Sequence, residues 1–304
     1  MSEAQSGNTG SEPRHLDEPT GQPTTGHVWD GITELDRPLP RWWLWTFYAT
    51  IAFSVVYMVL YPSIPLVDNA TRGLFGYSTR GEVHERLDEA RAAKSGNLGR
   101  IAAMDLEAIR ADDGLARFAR AGGESAFKVN CVQCHGTGAA GSRGYPNLND
   151  DEWLWGGTLD DIRTSIMHGI RFDADDETRI SGMPAFGADG LLAREGIRAV
   201  AEHVIRLAGR EADRELAAEG AQVYADNCAA CHGDDGSGSR EFGAPALNDA
   251  IWLYGSTRED ILAQIYRPSH GVMPAWGGRL DETTVKQLAI YVHALGGGEA
   301  AAND

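Results

Sequence analysis

The pentapeptide Cys-x-x-Cys-His occurs twice in this chain, at residues 131–135 and 228–232, and the two copies use all four cysteines. Two thiols three positions apart on one turn can each add to a vinyl group of the same haem, and the adjacent histidine then lies beneath the ring as an iron ligand. The sequence therefore predicts two covalently bound haem c groups. The attaching cysteines would be Cys131, Cys134, Cys228 and Cys231, and the proximal iron ligands His135 and His232.

Other chemistries of paired cysteines fit this pattern less well. A structural zinc site needs no histidine fixed to its second cysteine, and the two pairs lie far apart in the sequence. A thioredoxin-like redox pair would need alternating strands and helices around it, and the sequence shows no such pattern. Structural disulfides would leave both histidines unexplained. We therefore prefer haem attachment.

Each haem iron of this type usually takes a second axial ligand, and a methionine thioether in that position raises the reduction potential. Met183 follows His135 by 48 residues and Met273 follows His232 by 41, and each begins a Met-Pro-Ala-aromatic-Gly sequence. This repetition predicts that Met183 and Met273 are the distal ligands rather than core-filling side chains. With both axial positions filled, the irons would carry electrons and bind no substrate.

The sequence leaves some alternatives open at the axial positions. Met167 and His168 are second candidates for the first iron, and His270 has the same status beside Met273. His203 could compete for an iron, although we expect a packing or surface role for it. The sequence also does not decide whether each methionine ligates the haem of its own repeat or that of the other.

The similarity between the two halves extends beyond the ligands. Residues 123–131 parallel residues 220–228, and residues 197–208 and 285–295 are apolar-periodic stretches that each end at a glycine. A period near 97 residues is too long for a solenoid and indicates two tandem domains. Each resembles a class I cytochrome c domain, in which a first helix, the haem motif, a methionine loop and a last helix packed on the first follow in order.

A membrane anchor is predicted ahead of these domains. Residues 42–61 contain no charged side chain and suffice for about one bilayer crossing, with tryptophans at one end and tyrosines at the other as in interfacial aromatic belts. A cleaved signal peptide is the alternative. However, the polar residues 1–41 precede the segment, and the Tyr61-Pro62-Ser63 sequence that ends it makes a poor cleavage site.

The predicted fold class is mainly α, with one N-terminal transmembrane helix followed by two tandem class I cytochrome c domains. The first 30 residues are rich in Ser, Gly, Thr, Pro and Glu, which predicts disorder. An uneven helical pattern broken at residues 95–97 predicts a connector that lies near the membrane or a partner, or is a solvated linker. The predicted segments are a largely disordered tail at 1–38, the anchor at 39–62, the connector at 63–113, haem domains at 114–210 and 211–298, and a C-terminal tail at 299–304.

The charge of the haem domains is acidic. Residues 114–298 contain 17 Lys and Arg against 26 Asp and Glu, a net charge of −9. Such a surface would attract a basic electron donor, although acidity also serves solubility alone. Nucleic acid is not expected as a partner of this charge.

A closer resemblance is carried by the segment from His27 to Trp45, by Tyr61-Pro62, by residues 73–78 and by the order and spacing of the haem units. These residues resemble the dihaem subunit of cbb3-type cytochrome c oxidases, over nearly the whole chain after the tail. The resemblance implies that electrons pass from a donor cytochrome c through this subunit to a monohaem subunit. A haem–copper catalytic subunit then reduces oxygen, so this chain would hold no catalytic centre of its own.

The resemblance also implies an orientation, which the basic residues on the two sides of the anchor do not decide because they balance. In bacteria, haem is attached to cysteine on the outer side of the cytoplasmic membrane. The N-terminus would therefore be cytoplasmic and the haem domains periplasmic, in the inner membrane.

Two other classes of function remain. The chain could be a free-standing, membrane-anchored dihaem shuttle for another periplasmic reductase. It could instead be a haem enzyme or gas sensor, which needs one open iron site. Met273 is the only methionine after His232, which argues against an open second iron. The first iron is less secure because Met167, His168 and His203 lie in the same repeat.

Overall fold

The computed structural model describes residues 15–300, and the chain divides after residue 90 into two compact units. The first unit contains three strands, β1 (Leu16–Asp17), β2 (Gln22–Trp29) and β3 (Ile32–Leu35), and helix α1 (Arg41–Leu60). Helix α2 (Thr79–Ala103) begins in the first unit and ends in the second. The other helices belong to the second unit: α3 (Leu106–Ala111), α4 (Asp113–Asn130), α5 (Val132–His135), α6 (Leu159–His168), α7 (Arg194–Leu207), α8 (Arg214–Asn227), α9 (Ala229–His232), α10 (Arg258–Tyr266) and α11 (Glu282–His293).

The predicted disorder of residues 1–38 is wrong for the part of that tail which the structure describes. Strands β1, β2 and β3 form an antiparallel sheet in which Trp29 pairs with Ile32 around a two-residue turn. Asp30 and Gly31 both have positive φ there, as a type I′ hairpin turn requires. An Asp-Gly pair flanked by Val28-Trp29 and Ile32-Thr33 is a strong local hairpin signal, which the composition of the segment does not reveal. Residues 1–14 lie outside the described residues.

Helix α1 is the predicted membrane anchor, shifted by one residue from its expected bounds. It is long and apolar enough to cross a bilayer, and none of its residues is buried within the protein. Its apolar side chains surround the whole helix, which is what a lipid environment favours. The helix ends at Tyr61, whose amide donates to the Tyr57 carbonyl, and Pro62 cannot continue the helical hydrogen-bond pattern.

The connector is more regular than its sequence pattern predicted. Helix α2 runs without interruption through residues 95–97, where we expected a break. Gly96 and Gly99 each cost the helix only about 1 kcal/mol relative to alanine, and the surrounding Ala, Lys, Leu and Arg residues are good helix formers. The C-terminal end of the connector is packed rather than solvated, because Ile101, Leu106 and Ile109 are buried in a core of the second unit.

Lys286 attaches the end of α2 to that core. The residue is 9% exposed, and its ammonium group donates to the carbonyls of Ile101 (3.3 Å), Ala102 (3.1 Å) and Met104 (2.7 Å). These carbonyls lie where the helix ends and lack intrahelical partners. The lysine therefore caps α2 from α11, a contact between residues about 185 positions apart.

The second unit has two apolar cores that cut across the two sequence repeats. The first core combines α4 and α6 with α11. The second combines α7 with α8 and α10. We expected the last helix of each repeat to pack on the first helix of the same repeat. That expectation is wrong, because α11 of the second repeat packs on α4 of the first, while α7 packs on α8.

A glycine and an aromatic residue in matching positions bring the two helices close together at both helix–helix contacts. A Cβ on Gly123 of α4 would stand 2.1 Å from the Gln287 carbonyl oxygen of α11, and one on Gly220 of α8 would stand 2.0 Å from that of Ala199. Only glycine permits such approach of two backbones. The rings of Phe127 and Tyr291 meet at 5.4 Å across the first crossing. The two crossings are therefore equivalent, but each joins different parts of the chain.

Two extended segments carry the chain between the cores. The Ile170 amide donates to the Met273 carbonyl (2.9 Å), and the Met273 amide donates back to the Ile170 carbonyl (3.0 Å). Arg171 holds both segments, since its guanidinium donates to the carbonyls of Gly271 (2.7 Å) and Ser181 (3.1 Å). Met273 lies within this crossing, and Ile170 precedes Met183 by 13 residues, so the crossing lies on the path of both segments to their methionine loops.

Candidate haem sites

Both Cys-x-x-Cys-His motifs form the same local structure. Cys131 ends α4 and Cys228 ends α8, and each motif continues as a single helical turn closed by a glycine with φ of 78°. The first cysteine of each pair is half-buried, whereas Cys134 and Cys231 are exposed. The two pairs belong to different cores, so the four thiols do not converge on a common zinc site.

The two motif histidines have the same backbone partner in each repeat. Nδ1 of His135 lies 3.1 Å from the Pro146 carbonyl oxygen, and Nδ1 of His232 lies 2.9 Å from that of Pro245. A carbonyl accepts only from a protonated nitrogen, so this contact fixes the Nδ1–H tautomer and leaves Nε2 free to bind a metal. Burial lowers the pKa of both imidazoles, which favours the neutral ligating form.

Burial also affects the thiols that would carry the haem. It raises the pKa of Cys131 and of Cys228 to about 11, with a smaller contribution from the neighbouring cysteine of each motif. Before haem is attached, both groups would therefore be protonated thiols at neutral pH, and thioether formation would remove their titration.

A cavity of about 220 Å³ lies beside the second motif and has the chemistry of a haem pocket. Its walls are mainly apolar and include Val200 and Val204 of α7, Tyr224 of α8 and Ile265 of α10. Cys228, Cys231 and His232 line it, and so does Met183 of the first repeat. Met273, the methionine of the second repeat, is not among the lining residues.

The first motif has the reciprocal arrangement. Cys131 packs on the first core, and Met273 packs on the same core together with Trp276. The Phe127 ring stands 6.4 Å from the His135 ring, between the motif and α11. Each core thus brings together the cysteines and histidine of one repeat and the methionine of the other.

Backbone hydrogen bonds hold each methionine loop on a helix of the opposite repeat. The amides of Gly187 and Ala188 donate to the Tyr266 carbonyl at the end of α10 (3.2 and 2.9 Å). In the other core, the Gly277 amide donates to the Met167 carbonyl at the end of α6 (3.0 Å). Met167 therefore occupies the position that Tyr266 has in the second site, which is a packing position beside the loop.

Of the other histidines considered as ligands, two are engaged elsewhere and one lines the second pocket. Nδ1 of His168 lies 3.2 Å from an Asp175 carboxylate oxygen. His203 is buried between α7 and α8, where its Nδ1 lies 3.2 Å from the Ala217 carbonyl oxygen and its ring contacts Tyr224 at 5.1 Å. His270 lines the second pocket near Met183, and burial with the nearby Arg171 lowers its pKa.

Trp155 and the carbonyls of Pro146 and Pro245 also fit a bound haem, and the sequence analysis did not assign them a role. The indole nitrogen of Trp155 is buried without an acceptor among the described residues. The ring lies against Gly243 of the second pocket, where a Cβ would come within 2.3 Å of it. A haem propionate is an acceptor that could satisfy this donor. The role of the Pro146 and Pro245 carbonyls is apparent only in the folded structure, where they contact the motif histidines.

Comparison with known proteins agrees with this geometry. The profile described as "Cytochrome C oxidase, cbb3-type, subunit III" matches residues 119–204 and 215–292, and "N-terminal domain of cytochrome oxidase-cbb3, FixP" matches residues 21–68. The subunit CcoP of this oxidase from Cereibacter sphaeroides is 52% identical over 92% of this chain and 97% of its own length. The chain belongs to the family of cbb3-type cytochrome c oxidase subunit III.

Other members of the family have similar coverage and 47–53% identity. FixPc of Rhizobium leguminosarum bv. viciae is 53% identical over 94% of this chain and 99% of its own length, and FixP of Azorhizobium caulinodans is 47% identical over 96% and 99%. The predicted mainly helical fold, with its tandem cytochrome c domains, is confirmed. The chain is a membrane-anchored electron-transfer subunit of a cbb3-type oxidase and carries two haem c groups.

Proposed function

We propose that each haem of this subunit is bound by ligands from both repeats. The haem attached to Cys131 and Cys134 takes His135 and Met273, and the haem attached to Cys228 and Cys231 takes His232 and Met183. The observation that carries this assignment is the presence of Met183, and not Met273, in the pocket lined by His232. Haem c supplies a one-electron ferric–ferrous couple when bound, and thioether ligation raises its potential.

The residues of the chain support this couple in distinct ways. The carbonyls of Pro146 and Pro245 orient the two histidines and keep the Nδ1 proton in place. Met183 and Met273 would supply the second ligands, so that neither iron would be open to oxygen. Met273 is hydrogen-bonded to Ile170, in the segment that leads to Met183, so the two sites are held at a fixed separation. This rigidity suits repeated electron transfer, which requires little rearrangement.

The partners proposed for the subunit are a donor cytochrome c, a monohaem cytochrome c subunit and the catalytic haem–copper subunit. The exposed Cys134 and Cys231 support the first of these, because they bring one edge of each attached ring to the surface. The acidic charge of residues 114–298 favours a basic donor. We also propose that α1 crosses the bacterial inner membrane with the N-terminus cytoplasmic and the haem domains periplasmic.

Methionine variants of the complete oxidase test the ligand assignment. Met183→Leu and Met273→Leu should each lower the potential of one haem and open it to carbon monoxide. Met167→Leu is the matched control, since Met167 packs beside the first site, and it should leave both potentials unchanged. Loss of methionine ligation in the Met167 variant, with a normal spectrum in the Met273 variant, would overturn the assignment.

Purification tests the proposed partners independently. A tagged chain extracted in mild detergent should bring haem b, copper and a monohaem cytochrome with it. The preparation should consume oxygen with reduced cytochrome c, and added salt should slow this reaction. Recovery of the dihaem chain alone, from membranes that contain the other subunits, would contradict the proposed assembly.

A further inference from the structure

A polar cavity of about 750 Å³ lies at the end of the membrane helix, and the electron-transfer role does not use it. It is formed entirely within the first unit, by the last turn of α1, the loop at residues 61–78 and the start of α2. Arg72 and Arg80 line it together with Tyr57, Tyr61 and Tyr77. The lining thus combines two guanidinium groups with three phenol rings.

The two arginines are free to bind a ligand. Neither the Arg72 nor the Arg80 guanidinium has a hydrogen bond or an ion pair within the described part of the chain. The nearby acidic group is already occupied, because Glu82 accepts from Tyr77 (2.6 Å) and is paired with Arg86. The Tyr77 contact and Arg86 hold the pKa of Glu82 below its usual range, so it stays ionised in these contacts. The cavity therefore presents uncompensated positive charge.

The cavity is built by a loop that folds back on the end of α1. The amides of Leu74 and Phe75 donate to the carbonyls of Val59 (3.0 Å) and Leu60 (3.1 Å), which have no partners within the helix. Gly73 has φ of 66°, and a Cβ on it would stand 2.3 Å from the Leu60 carbonyl oxygen. Tyr61 stacks on Tyr57 at 4.7 Å. These contacts fix the walls before any ligand arrives.

The position of the cavity identifies the chemistry of its ligand. A helix of 20 residues extends about 30 Å, which is the thickness of the hydrocarbon core. The cavity at its end is therefore at the depth of the lipid headgroups, where tyrosines are enriched. Arginine binds phosphate through paired N–H donors, and basic pockets at this depth bind anionic headgroups.

We propose that this cavity binds the headgroup of an anionic phospholipid, with Arg72 and Arg80 on its phosphate. The loop at residues 61–78 also has exposed apolar side chains that can contact acyl chains: Val67 is fully exposed and Leu74 is 76% exposed. One bound lipid would thus cover both the charge and the apolar surface at this end of the anchor.

The test uses the complete oxidase, extracted in mild detergent and reconstituted in bilayer discs of phosphatidylcholine with increasing phosphatidylglycerol. The Arg72→Gln/Arg80→Gln variant should retain about one anionic phospholipid fewer per pair of haem c groups, measured by mass spectrometry. Its affinity for phosphatidylglycerol should fall by about 30-fold.

Two controls separate lipid binding from charge and from folding. Arg117→Gln/Arg120→Gln removes the same charge from exposed positions on α4 and should leave phosphatidylglycerol binding unchanged. Haem content should be normal in every variant, and Arg72→Lys/Arg80→Lys should retain most of the binding. Equal retention of lipid by the glutamine variant and the unaltered chain would overturn the proposal. Displacement of the lipid by inorganic phosphate at the same concentration would also overturn it, since the ligand would then be the free anion.

Discussion

Replacing Gly169 by alanine should selectively disturb the site that contains Met273. Gly169 follows α6 with φ of 71° and ψ of −169°, a conformation that is essentially restricted to glycine. Its added Cβ would stand 2.3 Å from the Met273 carbonyl oxygen and 2.7 Å from the Ala275 nitrogen. Ordinary van der Waals contact would require the methionine loop to move by about 1 Å.

The expected cost combines backbone strain with the loss of contacts in the crossing. Forcing alanine into this conformation costs about 1–3 kcal/mol. The shift also weakens the two hydrogen bonds between Ile170 and Met273, each of which contributes about 1 kcal/mol. We therefore expect a total loss of about 2–4 kcal/mol of stability, which is large for one methyl group. Because a metal–sulfur bond tolerates little displacement, one of the two haems should also lose its methionine ligand.

The matched control is Gly190→Ala. Gly190 has the same φ of 71°, but no atom lies within 4 Å of the Cβ that would be added. It should cost only the left-handed strain, about 1–2 kcal/mol, and leave both haem spectra intact. The assays are denaturant unfolding and the long-wavelength charge-transfer band of methionine-ligated ferric haem, whose intensity should halve in the Gly169 variant. If the two variants behaved alike, the proposed contact between Gly169 and the Met273 loop would be refuted.

Two more predictions follow from buried polar groups. Lys286→Met should destabilise the second unit by about 2–3 kcal/mol in denaturant unfolding, because three carbonyls lose their charged donor. The control is Lys128→Met, which removes an exposed ion pair and should cost less than about 0.5 kcal/mol. An equal effect of both lysines would contradict the capping role. Burial, together with the neighbouring Asp249, raises the pKa of Glu152 to about 7. Between pH of about 4.5 and 7, the Glu152 carboxyl is protonated in the folded state but ionised in the unfolded state. The free energy of unfolding should therefore fall as pH rises through this range, by about 1 kcal/mol after solvent screening. Glu152→Gln should abolish this decline in thermal melts at a series of pH values, and an unchanged pH profile would contradict the assignment.

Local signals in the sequence predicted the ligands and the membrane anchor. The Cys-x-x-Cys-His motifs and the two Met-Pro loops are recognisable because haem attachment needs fixed residue types at fixed spacing. The anchor at residues 42–61 was recognisable because a bilayer requires a long uncharged run, and α1 lies within one residue of that range.

Which of the two last helices, α7 or α11, packs on α4 and which on α8 could not be predicted from local signals. Helices α4 and α8 both present glycine and an aromatic residue to their partner, so either could accept α7 or α11. The choice depends on the crossing at Ile170 and Met273, a backbone pairing without a residue signature. The roles of Lys286 and the Pro146 carbonyl were hidden for the same reason, since both depend on contacts that exist only after folding.

The reciprocal ligand exchange is the central claim, and a structure of the haem-loaded oxidase tests it most directly. An electron cryo-microscopy map at side-chain resolution shows which sulfur reaches which iron. We predict that Met273 Sδ is bound to the iron of the haem attached to Cys131 and Cys134, and that Met183 Sδ is bound to the other iron. Density joining Met183 to the iron above His135 would contradict the claim.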